Sequence, residues 1–387
     1  MHATPARGDA VALTRALVAI DSRNPSLVSE GPGERACADA LAHTLDRWGF
    51  RVEIQETAAR RPNVIARIGR GGGRTLLFNG HLDTVGVEGM IHAPWDAEVR
   101  EGRIYGRGSS DMKSGVAAMC AAALRVVDAK LDGEVIVTAV ADEEYESVGT
   151  RALVASGIRA DAAIVTEPTR LAICPAHRGF AWLELIVHGR AAHGSRYDIG
   201  IDAITLASRV LAELDDYQRT VLAHKTHALL GRPSFHASII SGGLGLSTYP
   251  DRCSVQIERR TIPGESAADF AREVEAACAR VRARAPEFRA DIVPGFAQAP
   301  NEVAATHPVV RALSSALARA GERAAIEGLP CWTDAALLTE AGIPAICFGP
   351  GDIGLAHSAE EYVDMGEIER ATGVLAGFVS EWFAGAN

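Results

Sequence analysis

Residues 75–85 read TLLFNGHLDTV, from Thr75 to Val85. The apolar run reads as a buried strand, and Asn79-Gly80 releases the chain at its C-terminal end. His81 and Asp83 then flank a single residue, so a tight loop can point both at one site. Neutral imidazole is a common metal ligand, and a neighbouring carboxylate can fix its tautomer. The same grammar recurs downstream. EVIVTAVA (134–141) ends in Asp142-Glu143-Glu144, and Ala162 to Val165 ends in Thr166-Glu167-Pro168. Ala345 to Phe348 leads through Gly349-Pro350-Gly351 to Ala356-His357-Ser358. Asp111 opens an Ala-rich apolar helix, where it is either an N-cap or a carboxylate that the helix dipole keeps ionised. In an open α/β sheet, ligands bind beyond the carboxyl ends of the strands. His81, Asp111, Glu144, Glu167 and His357 are therefore expected to converge although they lie far apart in sequence.

The chain has 387 residues, too many for one compact core, and two domains are expected. A net charge of -10 argues against a nucleic-acid partner, which needs a basic face. The seven cysteines form no C-x-x-C pair, and several sit in apolar runs, as expected of reduced core thiols in a reducing, cytoplasmic setting. Arg7, Asp9 and Arg15 break up the N-terminal segment, and no apolar stretch is long enough to span a bilayer, so no membrane association is expected.

Helices are expected at 9–20 and 33–48, then strands at 50–54 and 63–68. Gly69 to Gly73 lacks the Lys-Ser/Thr ending of a phosphate loop and reads as a hairpin turn. A second hairpin is expected at 95–108, turning at Glu101-Gly102. From about 178 the pattern changes to strand, helix, strand, strand, helix, which suggests a small α+β layer inserted into the larger domain. The expected division is 1–177 with 293–387 as the catalytic, metal-binding domain and 178–292 as the insert. Edge strands of such a layer can pair between two copies of the chain.

Two histidines and three carboxylates suit two divalent metals with one carboxylate bridging. Mixed N/O donors fit zinc, and cobalt or manganese as well. Two dications balance three carboxylates and one bridging hydroxide, so the site can be buried without a large net charge. Glu143, beside Glu144, is placed to take a proton from water and pass it to a leaving amine.

The motifs GHLDTV (80–85), GRGSSDMKSG (106–115), DEE (142–144), TEP (166–168), AAHGS (191–195), ERRTIPGE (258–265) and AHSAEE (356–361) resemble those of the dinuclear zinc amidohydrolases. That superfamily includes acetylornithine deacetylase, succinyl-diaminopimelate desuccinylase, aminoacylase and carboxypeptidase G. The likeness covers nearly the whole chain. It implies an α/β, zinc-exopeptidase-like catalytic domain with a mixed central sheet flanked by helices, and an inserted α+β lid that dimerises. It implies His81 and Glu167 on one metal, Glu144 and His357 on the other, and Asp111 bridging, with a cis peptide expected after Asp111. Asp83 would support His81, and Glu143 would be the base. His193, on the lid, would reach the partner subunit's site and stabilise an oxyanion. Arg260 would clamp a substrate carboxylate. Ser247 stands where relatives often carry an Asn toward substrate, and Thr333 is expected to line the pocket. Asp334 is expected to cap the helix that follows.

The implied activity is hydrolysis of an N-acyl amino acid, a small-molecule substrate, by a metal-bridging hydroxide. A carboxypeptidase or dipeptidase on the same scaffold is the alternative. A binding protein that has lost catalysis is disfavoured, because all five ligands and Glu143 are present. The histidines at 92, 177, 188, 224, 227 and 236 match no metal motif.

Overall fold

The computed structural model describes residues 4–58 and 61–384. Residues 1–3, 59–60 and 385–387, which the sequence division counts with the catalytic domain, lie outside the described residues. Two compact units share the chain. The first takes the chain up to Pro175, then Glu302–Glu327 and the residues from Thr333 onward. The second takes Ala176–Asn301 and Gly328–Trp332.

The first unit is built on a mixed sheet. Gly133–Val140 lies inside it, antiparallel to Arg61–Gly69 on one side and parallel to Arg74–His81 on the other. Ala162–Val165 and Ala345–Cys347 continue the parallel run. These strands are buried at nearly every position because both faces are covered, and apolar residues fill most of their middles. Every residue of the helix Ser114–Ala123 is buried, and helices Ala10–Val18 and Met365–Ala384 pack around it. Asp9 caps the first of these, accepting from Ala12 N at 2.9 Å. The other end is tied down by Lys113, whose buried ammonium donates to the carbonyls of Leu17 (3.0 Å) and Ile20 (2.9 Å).

Gly69 to Gly73 is not a hairpin turn. Gly133–Val140 separates the two strands it joins, so the segment crosses that strand's N-terminal end. There Arg70 N donates to Gly133 O at 3.1 Å. Gly69 has φ +115°, and a Cβ on it would sit 2.3 Å from Gly133 O. The glycine answers a close approach of two backbones, which reads like a turn in sequence. The other expected hairpin is present. Glu98–Arg100 and Arg103–Tyr105 are antiparallel, and Glu101 and Gly102 both have positive φ, as a two-residue connection requires.

The second unit is a four-stranded sheet with helices Ala203–Thr220 and Ala267–Arg284. Its strands run in the order Ser234–Gly242, Arg252–Thr261, Gly179–His188, Arg289–Gln298. Leu183, Leu185, Val187, Val255 and Ile257 meet Leu206, Val210, Phe270 and Val274 in its core. The last strand corrects the sequence reading, which returns the chain to the first domain at 293. Residues 293–298 stay paired with Gly179–His188 across a bulge between Pro294 and Ala297. Pro294-Gly295 hides this strand, and an edge position tolerates it. Among the described residues, no helix is long and apolar enough to cross a membrane.

Candidate metal centre

Three neighbouring strands and the segment ahead of a helix deliver the central side chains. His81 is the last residue of Arg74–His81, and Glu143 and Glu144 follow Gly133–Val140, its parallel neighbour in the sheet. Glu167 lies just beyond Ala162–Val165, on the other side of Arg74–His81. Asp111 sits in a kinked segment ahead of the helix Ser114–Ala123, and the Asp111–Met112 peptide is cis, as the resemblance implies. It is not an N-cap. Its carboxylate faces two imidazoles: Oδ1 is 3.1 Å from His81 Nε2, and Oδ2 is 3.4 Å from His357 Nε2. His357 Nε2 also lies 3.0 Å from Glu144 Oε2. Ligand atoms of His81, Asp111 and Glu144 fall within 4.8 Å of one another, as do those of His81, Glu143 and Glu167. Glu143 Oε2 is 3.9 Å from His81 Nε2.

Crowding of like charges sets the electrostatics. Burial, then the charge of Glu167, pushes Glu143 well above the usual carboxylate range. Burial, then Asp111, does the same to Glu167 and raises Glu144. Burial works against the charged form of Asp111, but hydrogen bonds from His357 and His81 hold it well below that range. Hydrogen bonds to Asp111 and Glu144 push His357 up to about 10. His81 is lowered by burial, yet its bond to Asp111 and the charge of Glu143 leave it well above its ordinary value. Four carboxylates with little exposed surface, gathered about buried His81 and half-exposed His357, call for added positive charge. Glu167 Oε1 is buried without a hydrogen-bond partner. The mixed O/N donor set and that orphaned oxygen fit a pair of divalent cations.

Comparison with known proteins agrees. The family model "Peptidase family M20/M25/M40" matches residues 77–381. The chain belongs to this family. An M20 relative, the acetylornithine deacetylase of Myxococcus xanthus, is 32% identical over 354 residues, covering 88% of this chain and 90% of that protein. Aminopeptidase PepT from Bacillus cereus has the same fold, with TM-score 0.80 at 20% identity over 98% of this chain and 99% of that one. So does a Bacillus subtilis protein described as a dinuclear metal-binding peptidase of family M20, with TM-score 0.76 at 16% identity over 97% and 98%. This M20 chain is accordingly an enzyme, a metal-dependent amidohydrolase or metallopeptidase.

The surroundings of this M20 centre refine two expectations. The closer contact to His81 comes from the backbone of Asp83, with its carboxylate farther off. His81 Nδ1 lies 2.9 Å from the backbone carbonyl of Asp83, against 3.7 Å from Oδ1. The carboxylate instead accepts from the amides of Glu143 (3.1 Å) and Glu144 (3.2 Å). Asp334 stands at the N-cap of its helix, but its side chain makes no cap bond; the hydroxyl of Thr333 accepts from Ala335 N at 3.2 Å instead. Asp334 Oδ2 accepts from Thr150 Oγ1 at 2.6 Å, and burial raises its carboxyl to about 6.

Sequence reasoning does not single out Glu361, which anchors the segment of Asp111. Its carboxylate accepts from the amides of Gly108, Ser110 and Asp111 and from Arg107 Nη1 at 2.6 to 3.1 Å, and so fixes the segment that carries Asp111. Its signal was its place at the end of the His357 motif. Three expected substrate residues belong to the second unit. His193 is exposed, with Nδ1 2.9 Å from Ser195 Oγ. Ser247 offers its carbonyl to Gly194 N at 2.7 Å, and Arg260 pairs with Glu258 beside the ring of Phe180.

Proposed function

We propose that the chain hydrolyses the amide bond of an N-acyl amino acid, with Glu143 as general base. His81 and Glu167 would hold one divalent ion, Glu144 and His357 a second, and Asp111 both. The observation that carries this reading is the two-faced Asp111, one oxygen toward His81 and the other toward His357. When bound, a pair of zinc ions, or cobalt or manganese, supplies Lewis acidity that polarises a carbonyl and makes a water more acidic. Glu143 takes the proton of the attacking water. As the C–N bond breaks, the same carboxyl returns the proton to the leaving nitrogen, giving an amine and a carboxylate.

Arg260 supports a substrate with a free carboxylate, which its guanidinium binds bidentately. Thr333 and Ser247 would line the pocket. His193 would act on the oxyanion from the partner subunit of a homodimer. An edge strand, Ser234–Gly242, with Ile239 and Ile240 more than half exposed, supports such pairing. The buried thiols of Cys37, Cys120, Cys174, Cys253, Cys278 and Cys347 support a reducing, cytoplasmic setting.

The test is a hydrolysis panel of N-acetyl, N-formyl and N-succinyl amino acids and dipeptides at defined zinc loading. Turnover of acyl amino acids that chelation abolishes and zinc restores is expected. Cleavage of dipeptides alone would replace the deacylase reading with a peptidase.

A further inference from the structure

The turn that carries Glu143 and Glu144 hangs from buried polar side chains that the metal assignment leaves unused. Asn24 and Glu34 have no exposed surface, and Asp142 and Arg61 have almost none. Both protons of the Asn24 side-chain amide are spent on carboxylates: Nδ2 donates to Asp83 Oδ2 at 2.8 Å and to Asp142 Oδ1 at 3.0 Å. Asn24 is itself fixed, because its Oδ1 accepts from Ser26 N (2.9 Å) and its N donates to Thr84 O (2.8 Å).

The two carboxylates grip opposite ends of one turn. Asp83 accepts from the amides of Glu143 and Glu144. Asp142 accepts from those of Glu146 and Val148, both at 3.3 Å. Arg61 Nη2 supplies positive charge, bonding Asp142 Oδ1 at 2.8 Å and Glu34 Oε1 at 2.7 Å. Within this frame Asp142 and Ser147 hold φ of 70° and 56°, conformations that side-chain-bearing residues adopt only when their surroundings impose them.

We propose that Asn24 is a positioning residue for the base, tying the two anionic clamps into one frame that fixes where the Glu143 carboxylate stands, with Arg61 as its counter-charge. This rests on Glu143 being the base. Without the amide, Asp83 and Asp142 lose their shared donor, and the turn gains freedom at the residue whose placement the chemistry needs.

The test uses metal-loaded enzyme and an N-acyl amino acid that the wild type turns over. Asn24→Ala should lower kcat by roughly 10- to 100-fold, since a displacement of about 1 Å costs that much. KM and the metal-to-protein ratio should stay unchanged. Added to Glu143→Gln, the same substitution should lower the residual rate no further, because it acts through the group already removed. Asn24→Ser keeps one donor and should fall between, and it replaces the alanine variant if that one does not fold. An unchanged kcat in the loaded variant, loss of metal in step with activity, or an equal further drop in the Glu143→Gln background would each overturn the proposal. Full activity of Glu143→Gln alone would instead remove the base assignment, and this inference with it.

Discussion

At the scale of single residues, the proposed function gives each carboxylate of the centre a separable task. Glu143→Gln should keep its metals and lose about 10²- to 10⁴-fold in kcat, the usual worth of a general base. Elemental analysis beside steady-state rates checks both halves. Asp111→Asn should lose metal as well as rate, because both imidazoles face this one carboxylate. His177 makes a prediction away from the centre. Burial lowers it to about 4, its Nε2 has no partner, and it packs edge-on against Trp332. The folded state therefore holds it neutral, while the unfolded chain takes up a proton near pH 6.5. Stability should be complete above that pH and fall as the pH drops toward 4, by about 3 kcal/mol at most. Urea midpoints across that range should show this limb, and His177→Phe should lack it. The candidate ligands were legible because four of them come after an apolar strand and Asp111 opens an apolar helix. The work of Asp83 was not, since HxD spacing suggests a carboxylate under an imidazole. Only the backbone of the Glu143 turn shows that its amides reach Asp83 first.

Among the elements, the helix Ser114–Ala123 comes tightly against Thr166, the residue after the strand Ala162–Val165. A Cβ on Gly115 would lie 1.9 Å from the carbonyl oxygen of Thr166, next to Glu167. Because the obstacle is backbone, Gly115→Ala must move either the helix or the Glu167 segment. It should destabilise by about 1–3 kcal/mol and weaken metal binding, read by thermal unfolding and zinc titration. The same closeness explains what sequence reading reached and what it did not. Apolar runs gave the buried strands and the helix after Asp111, because hydrophobic period survives any topology. Gly69 to Gly73 and Pro294-Gly295 look like turns, yet one answers a crossing of strands and the other a bulged edge strand. Glycine and proline report local backbone geometry, and which strand becomes a neighbour is decided elsewhere in the chain.

For the whole molecule, each unit has its own sheet, and the residues expected to bind ions lie in the first. If the proposed dimer pairs through the exposed edge of the second unit, Ile240→Lys should make it a monomer while sparing metal content. Light scattering after gel filtration, with metal analysis of the same fractions, decides this. A variant that stays dimeric would place the contact on another face. The first unit is also discontinuous: its early part ends at Pro175, and it resumes only after Asn301. A ribosome that has made 300 residues has released His81, Asp111, Glu144 and Glu167, but not His357 or Glu361. The nascent polypeptide at that point carries the acids without their second imidazole, and a stop codon between positions 168 and 357 would leave a cation cradle lacking one of its walls.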